Sequence, residues 1–188
     1  MLKKLIIVIL SFTSLTFAAD KIEIDTAASK IVFQARKLTG SHTGEVKLAS
    51  GHLLFDKDTL VSGEFEADMT TISNTDITEA EYHKKFIEHM LSDDFFGVSK
   101  FKTTKFVFKN AKKIKNNNYK ITGDLTIKDK TESVTFDAIA SKDKASAKLT
   151  FDRTKYGIKY GSGKFFQNLG DKLIYDDVQL EVTLTAKK

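Results

Sequence analysis

The chain has 188 residues, a formal net charge of +5, and neither Cys nor Pro. Without Cys there can be no disulfide, no cysteine nucleophile and no lipid anchor on a cysteine, so stability must come from a packed interior. The length suits one domain with a substantial core.

Residues 1–18 have the features of a cleavable export signal. Lys3 and Lys4 precede an apolar run that begins at Leu5, and Thr16-Phe17-Ala18 offers a small-x-small cleavage site. The alternative, a membrane anchor, needs a span of about 20 apolar residues, and this run is shorter. We predict a signal peptide over residues 1–18, a mature domain over 19–188 and export to the periplasm.

Strict alternation of apolar and polar residues dominates the rest of the chain. In one segment Val61, Gly63, Phe65, Ala67 and Met69 share a face, and the intervening residues are mostly acidic. A period of two is typical of a strand with one dry and one wet face. Eight segments of this kind predict strands, namely Lys30–Lys37, Thr43–Asp56, Leu60–Met69, Thr103–Lys115, Asn118–Lys128, Glu132–Ala140, Lys144–Asp152 and Leu173–Ala186.

The succession of strands predicts an all-β fold, an antiparallel sandwich or a barrel of about eight strands. Within Thr43–Asp56 the apolar positions change from even to odd near Ser50-Gly51, which predicts a bulge that lets the sheet curl. Asn116–Asn118, Asp129-Lys130 and Ser141–Asp143 predict hairpin turns.

One segment between the third and fourth predicted strands has helical spacing instead. Tyr82, Phe86 and Met90 recur every four residues, and Thr78 with Glu81 has the spacing of a capping box. We predict a helix of about three turns near Thr78–Leu91. It covers a barrel end, or serves as a lid over a pocket mouth, or both.

No residue pattern points to catalysis. Gly161-Ser162-Gly163 lacks the spacing of a nucleophile elbow, and His83 and His89 are too far apart for a helical metal pair. His89 with Asp93 and Asp94 is better explained as a polar helix end than as a ligand cluster. We predict no enzymatic activity, no catalytic residue, no metal and no cofactor.

The positive charge is carried largely by lysines on the polar faces of strands. The aromatic residues fall on the opposite face, whereas a nucleic-acid surface would interleave the two, so we predict no nucleic-acid partner. Weak attraction to an anionic membrane surface and formation of a homodimer both stay open.

The predicted interior mixes large and small residues. Small residues at inward positions include Ala35, Gly63, Gly123 and Ala147. Seven phenylalanines also lie at inward strand positions, namely Phe33, Phe55, Phe65, Phe106, Phe108, Phe136 and Phe151. Such residues can interdigitate as an ordinary core or leave a tapered channel, since a barrel of about eight strands is just wide enough for either. The residues alone do not decide between these alternatives.

Three motifs resemble those of one known family. The stretch from His89 to Val98 resembles an H-L-x-S-x-D-F-F-D-V motif, residues 121–128 a V-T-G-D-L-T-I hairpin, and residues 153–158 an R-x-x-F-G-I loop. These motifs, in this order, resemble the YceI-like family of exported lipocalin-like proteins that bind polyisoprenoids. Gly97 and Asp129 depart from the family pattern.

The resemblance implies a barrel with an extended apolar tunnel that holds a polyisoprenoid lipid or an isoprenoid quinone. Two alternatives stand beside it: an exported structural or stress-protective barrel with a packed core, and an uncharacterised enzyme of isoprenoid lipid metabolism. The apolar stripe of the helix places Phe86, Met90 and Phe96 near the mouth of this tunnel. Together with inward strand parity, the resemblance predicts these ligand-binding residues: Phe33, Phe55, Phe65, Phe86, Met90, Phe96, Phe106, Phe108, Phe136, Phe151, Tyr156 and Ile158.

Overall fold

A computed structural model describes residues 19–188, so the predicted signal peptide lies outside the described residues. The strands are β1 (Asp20–Glu23), β2 (Lys30–Lys37), β3 (Gly40–Asp56), β4 (Thr59–Asn74), β5 (Thr103–Lys115), β6 (Asn118–Ile127), β7 (Lys130–Ala140), β8 (Lys144–Asp152) and β9 (Ile174–Thr185). One α-helix, α1 (Ala80–Leu91), lies between β4 and β5, and short 3-10 turns occupy Arg153–Tyr156 and Gly170–Lys172.

The strands form a closed antiparallel barrel. Each strand from β2 to β9 pairs with the next along the chain, and β9 pairs with β2 to complete the ring, with Phe33 opposite Leu180. The predicted all-β barrel of about eight strands with one inserted helix is therefore confirmed. β1 pairs with the end of β3, where Ile22 lies opposite Leu53. At 4 residues, β1 is too short to display an alternation in the sequence.

Two long strands bend at bulges. The pairing of β3 with β4 shifts between Leu48 and Ser50, where the change of parity predicts a bulge. The placement of Val61 on the dry face is wrong, because Val61 is 42% exposed whereas Leu60 is 1% exposed. Leu54 pairs with Ser62 and Phe55 with Leu60, so Val61 is the extra residue of a bulge and turns outward.

Helix α1 begins one residue later than its capping box predicts. Its N-cap is Glu79, whose carboxylate accepts hydrogen bonds from the backbone N–H groups of Glu81 (3.1 Å) and Tyr82 (2.8 Å). The proposed cap by Thr78 is thus wrong, because the longer Glu79 side chain reaches the same free amides. Met90 is the buried residue of the helix. The helix covers one end of the barrel, which we call the α1 end.

The opposite end of the barrel is packed shut. Phe55, Leu60 and Tyr119 are each 1% exposed there. The Tyr119 hydroxyl accepts a hydrogen bond from the Leu60 backbone N–H (3.2 Å) and donates to the Asp58 carbonyl (3.5 Å). These bonds satisfy the polar end of a buried ring and join β6 to the turn before β4.

The wall is incomplete between β7 and β8. These strands pair only over three positions, from Ala138–Ala147 to Ala140–Ala145. Nearer the α1 end they separate, and the turn at Arg153–Tyr156 contacts β7 there. Tyr156 packs edge-on against Phe151, with ring centroids 5.6 Å apart. The turn thus covers the gap between β7 and β8.

Candidate functional site

The barrel encloses a cavity of about 250 Å³. Its lining comes from α1 and from each strand between β2 and β9, and it extends from Phe86 and Met90 at the α1 end to Ala140 and Leu184 near the packed end. Most lining side chains are apolar, and the polar ones are Arg36, Lys37, His42, Thr104, Lys105, Ser146 and Arg153. Protein interiors seldom leave voids larger than a water molecule, so this space is unlike an ordinary core.

Most of the predicted ligand-binding residues border this cavity. They are Phe33, Phe65, Phe86, Met90, Phe96, Phe106, Phe108, Phe136, Phe151 and Ile158. Bordering the cavity does not test whether they bind a ligand, so that role stays a prediction.

Two predicted residues lie away from the cavity. Phe55 is part of the cluster that packs the end opposite α1, beyond the open part of the lumen. Tyr156 lies between β7 and β8, where burial raises its pKa to about 12, with the carboxylates of Glu132 and Asp152 adding to the effect. Among residues 19–188, its hydroxyl is the buried side-chain polar atom without a hydrogen-bond partner.

Glycines in the wall explain why so many phenylalanines leave space between them. A Cβ added to Gly51 would lie 2.5 Å from Cδ1 of Phe65, and one added to Gly123 would lie 2.6 Å from Cε2 of Phe106. Each ring therefore occupies the position that a side chain on the neighbouring strand would take. Phe33 lies over Gly44 in the same way. The rings lie against the wall and not across the lumen.

The rings on the wall touch one another. Phe106 lies with its centroid 5.5 Å from that of Phe108 and 5.5 Å from that of Phe136, and Phe65 lies 6.1 Å from Phe108. These contacts fix the rings of the neighbouring strands β4 and β5 and the ring of Phe136 on β7 against one another. Aliphatic residues make up most of the remaining lining, and small ones among them are Ala35, Ala67, Ala138, Ala145 and Ala147.

Polar groups meet the cavity mainly at the α1 end. Arg36, Lys37 and His42 border it there, and the His42 ring packs on Phe86 with centroids 5.0 Å apart. His42 Nδ1 lies 3.2 Å from Asp76 Oδ1. Burial alone would raise the pKa of Asp76, but hydrogen bonds from Asn74, Thr43 and His42 outweigh it and lower that pKa. We call this end of the cavity the mouth.

A buried arginine holds the segment beside the mouth. Arg153 is 3% exposed and donates to three carbonyls, those of Ile158 (2.9 Å), Ile174 (3.0 Å) and Tyr175 (3.2 Å). Burial lowers the pKa of Arg153, opposed by the nearby carboxylates of Asp176 and Asp152. Gly157 follows with φ +80°, a conformation that favours glycine. The motif Arg153–Ile158 thus seats Ile158 at the cavity.

Sequence reasoning missed several residues of the lining. Leu149, Val178, Leu180 and Val182 border the cavity, and their alternation along β8 and β9 could have placed them there. No local sequence pattern identifies Arg36, Lys37 and His42 as lining residues, because their position at the cavity depends on how β2 and β3 meet the α1 end.

The described part of the chain shows no arrangement typical of a metal centre. Within residues 19–188 no group of three or more His, Asp or Glu side chains could hold a metal ion. His89 Nε2 lies 3.7 Å from Asp94, while Asp93 pairs with Lys100 at 2.8 Å. In the same range no helix is long and apolar enough to cross a bilayer. The predicted lack of catalysis stays a prediction.

Comparison with known proteins identifies the family. The YceI-like domain matches residues 22–186, nearly the whole described chain, so the protein belongs to the YceI-like family. A UPF0312 protein from Shewanella denitrificans is 34% identical over 124 residues, which are 64% of this chain and 62% of that relative. The chain therefore matches somewhat less than two thirds of that relative's length.

Solved structures share the fold at low sequence identity. BcnA from Burkholderia cenocepacia has a TM-score of 0.69 and 22% identity over 87% of this chain and 99% of its own. A polyisoprenoid binding domain from Saccharophagus degradans, implicated in plant cell wall breakdown, has a TM-score of 0.63 and 14% identity over 88% of this chain and 97% of its own. At these identities the likeness concerns the fold.

Proposed function

We propose that the mature chain is a periplasmic binding protein that sequesters or carries a polyisoprenoid lipid or an isoprenoid quinone, with the hydrocarbon chain in the lumen of the barrel. The observation that carries the proposal is the apolar cavity of about 250 Å³ along the barrel axis. Export rests on the predicted signal peptide at residues 1–18.

The cost of an empty lumen favours an occupant. At about 24 cal/mol per Å³, an unfilled apolar cavity of about 250 Å³ costs about 6 kcal/mol. That is comparable to the whole stability of many domains, about 5–15 kcal/mol. An apolar ligand removes this cost and gains about 25 cal/mol for each Å² of apolar surface that leaves water. A structural barrel with a packed core would not contain an unfilled cavity of this size.

The chemistry of the lining favours a hydrocarbon chain over a compact polar ligand. A site that recognises polar groups presents a few fixed donors and acceptors, whereas this lumen is lined mainly by aromatic and aliphatic side chains. Arg36, Lys37 and His42 are at the mouth, where a head group would remain near water. We therefore expect strong selection for the chain and weak selection for the head group. The shared fold of the Saccharophagus degradans polyisoprenoid binding domain supports this choice of lipid.

Extraction of the purified protein tests the proposal. The mature chain, purified from the periplasm without detergent, is extracted with organic solvent and the extract is analysed by mass spectrometry. We expect a prenyl lipid in near-stoichiometric amount. A matched variant, Ala138→Phe, narrows the lumen next to Phe136 and should retain less lipid. Protein that is folded and free of lipid in both forms would contradict the proposal.

A further inference from the structure

Exposed apolar residues gather beside the mouth. Among the described residues, five large apolar side chains that are between 43% and 55% exposed lie in the β2–β3 turn, in residues 157–173 or at the start of β9, and we call them the mouth patch: Leu38, Tyr160, Phe165, Phe166 and Tyr175. Scattered exposed apolar residues are normal, but a group of them marks an interaction surface.

Backbone hydrogen bonds hold the three segments of the mouth patch together. The Leu38 N–H donates to the Leu173 carbonyl (3.1 Å), and the Ile174 N–H donates to the Gly161 carbonyl (2.8 Å). Tyr160 packs on His89 of α1, with ring centroids 4.5 Å apart. The patch is therefore one surface that continues to the helix covering the lumen.

Cations are interspersed among the aromatic rings. Lys159 Nζ lies 4.7 Å from the centroid of Phe165, and the Arg36 guanidinium lies 5.5 Å from that of Tyr175. Within residues 19–188, Arg36, Lys37, Lys159 and Lys172 make no ion pair with a carboxylate. By contrast, Lys164 is held by Asp152 (2.7 Å) and Asp176 (3.2 Å). Aromatic rings with cations of this kind match the interfacial layer of an anionic bilayer.

The opposite end of the barrel differs. Ile114 and Ile139 are exposed there, but Ile114 lies between Lys113 and Lys115, and Ile139 pairs with Asn118 and Ser146. These isoleucines are single residues in polar surroundings. They provide matched controls at a distance from the mouth.

We propose that the mouth patch docks the protein on an anionic lipid bilayer, with Phe165 and Phe166 inserted among the head groups and Lys159 and Lys172 against lipid phosphates. Docking in this orientation presents the mouth to the membrane, since Arg36 and Lys37 border both the patch and the cavity. The proposal does not depend on which lipid occupies the lumen.

Co-sedimentation with vesicles tests it. The full mature chain is mixed with vesicles of phosphatidylglycerol and phosphatidylcholine, and separately with phosphatidylcholine alone. We expect binding to the anionic vesicles that weakens with added salt. Phe165→Ser with Phe166→Ser should weaken binding by about tenfold or more, since each ring loses most of its buried apolar area. The control Ile114→Ser with Ile139→Ser should bind like the parent.

The charge contribution has its own pair of variants. Lys159→Gln with Lys172→Gln should weaken binding by about tenfold, whereas Lys112→Gln with Lys115→Gln at the other end should not. No binding to anionic vesicles would overturn the proposal. Equal losses of vesicle binding from the lysine variants at both ends would also overturn the proposal, because they would show that net charge alone attracts the protein to the vesicles. Lipid extraction of the same variants shows whether the lumen still holds its ligand. A loss of vesicle binding can then be distinguished from a loss of the lumenal lipid.

Discussion

Individual glycines determine how far the phenylalanine rings enter the lumen. Phe33, Phe65 and Phe106 each lie over a glycine of a neighbouring strand. A ring in that position contributes apolar surface to the wall while leaving the axis of the barrel open. The arrangement depends on pairing between strands, so it cannot be predicted from the spacing within one strand.

Filling one of these positions should close part of the cavity. In Gly123→Ala the new Cβ would lie 2.6 Å from both Phe106 Cε2 and the Val107 carbonyl oxygen, so the ring must move towards the lumen and the backbone of β5 must shift. We expect a loss of about 1–3 kcal/mol in the free energy of unfolding, as for other overpacked sites, and reduced lipid retention. Urea denaturation and lipid extraction measure the two effects.

Gly163→Ala is the matched control for that substitution. Its Cβ would meet only Leu173 Cδ1 at 3.4 Å, an ordinary contact. If both alanine variants retain lipid and stability equally, the glycine at position 123 has no special role in keeping the lumen open.

Asp152 should make stability depend on pH in the acid range. Burial would raise the pKa of Asp152, but hydrogen bonds from Lys164 (2.7 Å) and from the Thr154 hydroxyl (2.6 Å) and N–H (2.9 Å) outweigh it and lower that pKa. The contribution of Asp152 to the free energy of unfolding is therefore complete above the pKa of an unfolded Asp, about 3.9. It is lost as the pH falls through the lower pKa of the folded state.

The measurement is the free energy of unfolding in urea between neutral pH and the acid range. We expect it to fall as the pH drops below about 4, and to fall less steeply in Asp152→Asn, which is less stable at neutral pH. Asp129→Asn, in the exposed β6–β7 turn, serves as the control and should follow the parent. An unchanged slope in Asp152→Asn would contradict the assignment.

Among the elements, the strands are those that the sequence pattern predicts best. β2, β5 and β8 have the predicted ends. In β8 alternation continues to the end of the strand, whereas in β5 a register shift between Phe108 and Asn110 interrupts it. β4 continues to Asn74, beyond the predicted Met69, since an irregular pairing near Asp68 interrupts the period of two. Residues 153–173 have no periodicity, and Arg153 positions them through hydrogen bonds to carbonyls of its own loop and of β9, which no local pattern reveals.

Helix α1 should control how fast lipid leaves. Phe86 borders the cavity and packs against His42, whereas Tyr82, one turn earlier, is 67% exposed. Replacing Phe86 with Ser removes apolar contact at the mouth. If this removes about 1.4 kcal/mol of binding free energy, we expect the lipid to dissociate about tenfold faster. Stopped-flow release of a fluorescent prenyl probe measures the rate.

Tyr82→Ser leaves the lumenal face of the helix intact and should release the probe at the parental rate. The predicted role of α1 as a lid is contradicted if both substitutions accelerate release equally, or if neither does.

For the whole molecule, the sequence predicts the barrel, and the described fold and the family match confirm it. The choice between a packed and a hollow interior could not be made from the residues, because large and small side chains at inward positions are compatible with both. The interior is hollow because the rings lie over glycines of other strands and leave the axis open. It is closed at its ends because Phe55 and Tyr119 fill one end and α1 covers the other.

The central claim is that the lumen holds a hydrocarbon chain through apolar contact along the barrel axis. Titrating delipidated protein with prenyl alcohols of increasing length tests it most directly. Affinity should rise with each added isoprene unit, by about 0.8 kcal/mol per buried CH₂ at most, and then level off when the cavity is full. Affinity that does not change with chain length, or that is lost when only the head group changes, would contradict the account.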